Sequence, residues 1–280
     1  MARKFRKPAG LTLILVHILG FASLFLVTFE WWLVGLCIGM YYLRMFGITA
    51  GFHRYFSHKS FKTSRPMQFV LAWIGTSAIQ RGPIWWAAIH RHHHKHSDTP
   101  KDLHSPRQQG LWQAHLGWVL KKENRQIDRT KVADLTRFPE IDWIDRHYLV
   151  PPLSMAVLIF LVWGLPGLVY GFFLSTILLW HGTFTINSLS HVFGRRPYNT
   201  RDDSRNSALL AIVTMGEGWH NNHHFYPASA RQGFTWWQFD ASFLILRIFQ
   251  LLGLVWDVKV PPRELVTAGM VDAIAESKAL

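Results

Sequence analysis

The stretch LTLILVHILGFASLFLVTFEWWLVGLCIGMYYLRMFGITAGFHRYFSH, residues 11–58, decides the fold. Residues 11–29 carry no formal charge, Glu30 stands alone, and residues 31–50 form a second apolar run interrupted only by Arg44. Each run nearly matches the roughly 20 residues a helix needs to cross hydrocarbon. A signal peptide has a shorter apolar core ending in a small-residue cleavage site, so the first run reads as a spanning helix. Together the two runs make a tight hairpin. Arg44 lies near the end of the second run, where it is expected to snorkel or pair, and His53 and His58 follow directly.

Working outward, two more apolar runs, residues 148–166 and 167–187, meet at the uncharged turn Trp163-Gly164-Leu165-Pro166-Gly167. Across the 280 residues, 49% are hydrophobic and 14 are Trp, yet the formal net charge is +13, a combination that points to membrane spans with basic faces in water. The connections inside the hairpins carry almost no charge. Lys and Arg collect at the N-terminus (Arg3, Lys4, Arg6, Lys7), in residues 52–147 and after His191, so these segments are expected to face the cytoplasm. The expected fold is an all-α membrane protein with four transmembrane helices in two hairpins, spanning about 11–29, 31–50, 148–166 and 167–187. A cytoplasmic helical cap is built from 52–147 and 191–259. Residues 1–259 form a single domain, and 260–280 form a tail in which Leu265, Val266, Met270, Val271 and Ile274 recur at loosely helical spacing.

The histidines lie on that one side. His90, His93 and His94 stand at i, i+3 and i+4 and share a helix face. His220, His223 and His224 repeat the pattern, His53 and His58 form a pair, and His191 follows Asn187 where the last span ends. The run from His90 to His96 is internal and interrupted, unlike a purification tag. One such triplet is weak evidence, because histidines are also surface or core residues. Two triplets, a pair and a ninth histidine on one side imply metal binding, and nine ligands are too many for one ion, so two ions are expected.

The single cysteine, Cys37, lies in an apolar run, so neither a disulfide framework nor a thiolate site is available. Imidazole suits Zn, Cu, Fe and Ni alike. Soluble di-iron carboxylate proteins need two Glu-x-x-His motifs, and the chain has one such spacing, Glu217-Gly-Trp-His220, and no His-Glu-x-x-His. Iron beside membrane hairpins is the favoured reading, since iron with O₂ can attack an unactivated C–H bond. A metal carrier or sensor holding zinc is the reading from another class, but carriers place ligands inside the spans.

The ordered set His53-x₄-His58, His90-x-x-His93-His94, Asn187-x₃-His191 and His220-x-x-His223-His224 resembles the integral-membrane fatty-acid desaturases, in particular the stearoyl-CoA (acyl-CoA delta-9) desaturase-like branch of bacterial type. Gln80, Trp86, Asp98, Asp102, His104, His115, Gly117-Trp118, Arg196-Pro197-Tyr198 and Gly216-Glu217-Gly218 also fit its pattern. The resemblance covers roughly residues 11–259. It implies a four-helix stem and a helical cap holding two irons, with O₂-dependent conversion of a saturated long-chain acyl chain to a cis-monounsaturated one, at delta-9 of an acyl-CoA. It also implies direct ligation by His53, His58, His90, His93, His94, His191, His220, His223 and His224, with Asn187 acting through a water. Glu217 and His104 become partners of the ligating imidazoles. Ile89, Thr183-Phe184 and Arg81-Gly82-Pro83 depart from the family pattern and leave an acyl-carrier-protein thioester or a glycerolipid chain as alternatives. The same scaffold also supports hydroxylation.

Removing two hydrogens supplies two of the four electrons O₂ requires, so a donor must bring the rest. The chain has neither a cysteine-rich iron–sulfur pattern nor Gly-x-Gly-x-x-Gly, so the donor is expected to be a separate ferredoxin-like or cytochrome b-type protein. The bacterial inner membrane is the expected location. Regiochemistry requires a closed tunnel, for which Gln80, Trp86 and Thr183 are the candidate wall, and Arg196 and Arg205 are headgroup candidates. His92 and His96 are expected to be solvated or to support other ligands rather than to ligate, and His17 and His181 to be hydrogen-bonded within the bundle.

Overall fold

The computed structural model describes residues 10–270, which are mostly helical. The N-terminal basic cluster and Val271 and Ile274 of the tail lie outside the described residues. The principal helices are α1 (Leu11–Ser23), α2 (Trp31–Phe46), α3 (Arg65–Thr76), α4 (Pro83–His96), α5 (Pro139–Arg146), α6 (Val150–Gly167), α7 (Ser175–Asn187), α8 (Ala208–Val213), α9 (His220–Phe225) and α10 (Ala241–Leu251). A two-residue strand, Lys62–Thr63, pairs antiparallel with Val255–Trp256, setting Lys62 opposite Trp256.

Among the described residues two helical stretches are long and apolar enough to cross a membrane: Trp31–Ser57 and Val150–His191. The second runs for 42 residues, which would reach roughly 60 Å if straight, about twice the hydrocarbon thickness. It is not straight. Gly164, at φ 64° and ψ −159°, leaves helical geometry, a conformation glycine adopts without the usual Cβ penalty. A Cβ built on Gly171 would lie 3.5 Å from Ile159 on the other side of this break, so the chain folds back where the turn at 163–167 was expected. The first apolar run is shorter than the expected 11–29. α1 passes into a 3₁₀ turn that ends at Leu26, and Val27 is extended. Large apolar side chains face outward on these helices, including Ile18, Leu158 and Leu161, an arrangement suited to lipid rather than water.

Arg44 neither snorkels nor meets a carboxylate among the described residues. It is fully buried, donates to the hydroxyls of Thr176 and Ser175 and the carbonyl of Met40, and lies over the Phe172 ring. Neutral acceptors thus take the place of the expected ion pair.

Close backbone approach positions the site. α2 runs directly into a π-wound segment, Gly47–Ser57, which crosses α3 so tightly that a Cβ on Gly47 would stand 2.5 Å from the Gly75 nitrogen. α4 opens with Gly82 extended and Pro83 in its first turn, a favoured helix start. Its free Ile84 and Trp85 N–H groups donate to Asp145 Oδ1 of α5, at 3.0 and 2.9 Å. A carboxylate there satisfies donors that a helix leaves unpaired. Residues 263–270 are helical, and Gly269 lies against Phe225 and Tyr198, so this part of the tail packs on the cap.

Candidate metal centre and adjoining cavity

The two triplets divide between two clusters. His53, His58, His90, His94 and His223 bring one nitrogen each to a common point, and His93, His191, His220 and His224 do the same beside them. α4 gives its i, i+4 pair to the five-histidine group and His93 to the other. α9 gives its i, i+4 pair to the four-histidine group and His223 to the first.

His53 and His58 are five residues apart, which on an α-helix would place them roughly 140° apart around the axis. The π-winding closes this gap: the His58 N–H donates to the His53 carbonyl at 3.2 Å, and the rings lie 4.9 Å apart. π-turns of this kind recur at functional sites.

The nitrogens converge more closely than hydrogen bonding alone can satisfy. His58 and His90 meet Nε2 to Nε2 at 2.8 Å, and His191 and His220 at 3.1 Å. His223 Nε2 faces both His53 Nε2 at 3.0 Å and His94 Nε2 at 2.8 Å. His53 gives its Nδ1 proton to Glu217 at 2.5 Å, leaving Nε2 bare, and one N–H cannot serve both contacts of His223. His224 Nε2 is buried without a hydrogen-bond partner. A cation between converging lone pairs resolves both features, so the residues present fit a metal.

Burial first, then neighbouring imidazoles, hold His58, His90, His94, His220 and His223 well below the ordinary histidine range. Burial brings His224 down to about 4 against the opposing pull of Asp202. These rings are therefore neutral at pH 7, the form that ligates metals.

Carboxylates back several of the rings. His93 Nδ1 donates to Asp102 at 3.0 Å, His191 Nδ1 to Asp98 at 2.8 Å and His224 Nδ1 to Asp202 at 2.6 Å. Burial would raise all three acids, but their histidine partners and nearby donors outweigh it and hold Asp98 at about 2 and Asp102 and Asp202 well below the carboxylate range. Glu217 holds His53 and also accepts from Arg54. His104 lies with its ring centroid 4.3 Å from that of His93, the rings tilted by 33°, and has a buried Nδ1 without a hydrogen-bond partner. Burial, with the charge of His93, lowers it to about 3. The sequence marks Glu217 and His104 as such partners and holds Asp98 and Asp102 within the family pattern, but carries no signal for Asp202, which lies 22 residues before His224, with α8 between them.

A cavity reaches both clusters. Gly10, Leu11, Arg81, Lys121 and Tyr148 line its more exposed parts, whereas Met45, Ile48 and Thr49 line a buried part, with His90, His93, His104, His220 and Asn187 also on its wall. Gln80 Nε2 donates to Thr183 Oγ1 at 2.7 Å, and Trp86 Nε1 donates to Gln80 Oε1 at 3.4 Å. Trp86 also stacks on His90 with centroids 4.9 Å apart, tying the cavity wall to the five-histidine group. Trp85 lines the cavity as well.

Arg196 and Arg205 lie outside that lining. Arg196 donates to the carbonyls of Thr200 and Asp202, and Arg205 to that of Gly194; both brace the loop that carries Asp202. His92 donates from Nε2 to the Lys101 carbonyl at 2.9 Å and, with His96, stands outside both clusters. His17 and His181 contact each other at 3.2 Å, and His181 extends the chain to His115 at 3.0 Å.

Comparison with known proteins agrees with this geometry. Residues 9–250 match the family model for fatty acid desaturase. The chain is similar to an sn-2 palmitoyl-lipid 9-desaturase of Nostoc sp. (strain 36), at 38% identity over 86% of this chain and 86% of that protein. It is also similar to an acyl-CoA C20 Delta5-desaturase of Anemone leveillei, at 38% identity over 84% of this chain and 76% of that one. A hex-5-enoyl-[acyl-carrier protein] acetylenase of Moorena producens (strain JHB) shares 38% identity over 85% and 82%. These relatives are named for a lipid, a coenzyme A ester and a carrier-protein substrate. With its histidine clusters, adjoining cavity and membrane-length apolar helices, the chain belongs to the fatty acid desaturase family, an oxidoreductase family acting on lipid or acyl substrates.

Proposed function

We propose that this protein is an integral-membrane enzyme that uses O₂ to convert a saturated long-chain acyl group to its cis-monounsaturated product, at delta-9 of an acyl-CoA, as in the stearoyl-CoA desaturase-like branch of bacterial type. The observation that carries the reading is one cavity whose wall includes the cationic Arg81 and Lys121, histidines of both clusters and the buried Met45, Ile48 and Thr49. In this reading the nine histidines hold two irons, five at one and four at the other, and Asn187 completes the second through a water. Bound there, iron supplies the activation of O₂ and the removal of two hydrogens from the chain. Overall, –CH₂–CH₂– + O₂ + 2 e⁻ + 2 H⁺ gives –CH=CH– + 2 H₂O, and a separate redox protein brings the two electrons.

The chain's own residues position the substrate. A saturated chain has no polar handle along its length, so distance from a fixed headgroup selects the bond. Arg81 and Lys121 are placed to meet an anionic headgroup, and the hydrogen-bonded wall of Gln80, Thr183 and Trp86 shapes the path beside His90. Four spans are supported by the outward apolar face of Leu11–Leu26 and by the reversal at Gly164. Residues 1–259 then form one domain whose cap faces the cytoplasm of a bacterial inner membrane. A second reading, delta-9 desaturation of an acyl-lipid, is favoured by relatives from Nostoc, Anabaena variabilis and Arabidopsis thaliana that are named as lipid 9-desaturases.

Expression in a host with a defined lipid background, with double-bond localisation and His93→Ala as control, tests the reading. A new delta-9 cis bond absent from the control is expected, appearing in labelled acyl-CoA before glycerolipid. Label appearing first in intact lipid selects the second reading, a hydroxylated chain points to oxidase chemistry, and turnover in His93→Ala refutes the ligand assignment.

A further inference from the structure

The two histidine clusters differ in what stands behind them. In the four-histidine group, three rings give Nδ1–H to a carboxylate: His93 to Asp102, His191 to Asp98 and His224 to Asp202. In the five-histidine group, among the described residues, only His53 does so, to Glu217. The charges also differ. Glu217 shares its carboxylate with the buried Arg54 guanidinium at 3.0 Å. Among the described residues no lysine or arginine stands within ion-pair distance of Asp98, Asp102 or Asp202, whose other partners are neutral: Ser105 Oγ and the Asp203 N–H for Asp98, the Asp98 and His104 N–H groups for Asp102, and the Ser204 N–H for Asp202.

A carboxylate that accepts the distal proton of a ligating imidazole fixes its tautomer and raises its basicity, and loss of such a partner typically costs about 10- to 100-fold in metal affinity. Three unneutralised carboxylates behind four rings make a more electron-rich site than one shared carboxylate behind five. We propose that Asp98, Asp102 and Asp202 act as positioning residues that make the four-histidine group the tighter-binding and more electron-donating of two unequal metal positions. The four-histidine group gains in ligand strength what it lacks in ligand number. This inference rests on the reading that both clusters bind metal.

Titration of the metal-free protein with Co²⁺, followed by its visible absorption, tests it. Two resolved binding steps are expected. Asp202→Asn keeps an oxygen for the Ser204 N–H but removes the charge, and should weaken the tighter step about 10- to 100-fold while leaving the other in place. Asp98→Asn tests the same group independently through His191. Glu217→Gln should act on the weaker step. Mössbauer spectra of ⁵⁷Fe-loaded protein should show two doublets of equal area, one of which moves in Asp202→Asn. Two equivalent Co²⁺ sites, or Asp202→Asn and Glu217→Gln altering the same step, would overturn the inequality and leave the metal reading intact. Failure to bind Co²⁺ at all would overturn both.

Discussion

Arg54 offers the sharpest test of how the cap is held together. Its side chain is fully buried. Nε and Nη2 donate to Glu217 Oε1 at 3.1 and 3.0 Å, and Nη1 donates to the Ala230 carbonyl at 2.7 Å and lies 2.9 Å from Asp240 Oδ1. Asp240 in turn caps α10 through the Phe243 N–H and accepts from the Gln232 N–H. Arg54→Met keeps much of the volume but leaves two buried carboxylates without their cation. Removing one partner of a buried ion pair costs about 3–5 kcal/mol. At about 2 °C per kcal/mol for a chain of this size, the apparent unfolding temperature should fall by roughly 6–10 °C. Loss of monodisperse protein on heating in detergent, measured at one fixed heating rate because such unfolding is usually irreversible, reads this directly. Adding Glu217→Gln and Asp240→Asn to Arg54→Met should recover part of the loss, since neutral amides need no counter-charge. A fall of less than 2 °C for Arg54→Met, or no recovery in the triple variant, would refute the reasoning.

Three further outcomes are expected. Metal-free protein should be less stable at pH 5.5 than at 7.5: His58, His90, His94, His220 and His223 are held well below 6.5 and His224 at about 4. The unfolded chain then binds more protons below 6.5, and stability is lost as pH falls towards 4. Burial lowers His93 but Asp102 raises it overall, so this ring opposes the trend, and Asp98 adds its loss only below 3.8; a higher unfolding temperature at pH 5.5 would contradict the neutral cluster. Gln80→Leu removes the donor to Thr183 and the acceptor for Trp86, and should lower turnover or shift double-bond position at unchanged metal content, as read by product analysis beside metal analysis. Gly47→Val forces a side chain onto the Gly75 backbone and should abolish the folded monodisperse peak, whereas Glu30→Ala, at an exposed turn, should leave it in place.

Much of the site was legible in the sequence because its spacing carries geometry. A triplet at i, i+3 and i+4 reads directly as one helix face, and α4 and α9 present their histidines in that way. The pair His53 and His58 had no such reading, since their spacing faces one side only on the π-wound segment. Charge spacing was weaker still: Arg44 invited a carboxylate partner, and hydroxyls from the helix that folds back beside it satisfy it instead.

The sequence by itself determined the helical class, the apolar runs and the chemistry of nine imidazoles without a usable thiol, because composition and local periodicity are properties of the chain before it folds. Tertiary structure alone decided how the triplets divide between two clusters. It also decided that Gly164 reverses one long helical stretch and that Asp98, Asp102 and Asp202 stand behind one cluster while Arg54 tempers the other. Those contacts join residues as far apart as Arg54 and Glu217, and hydrogen bonds and ion pairs act over a few ångströms. Only the packed chain brings such groups within reach.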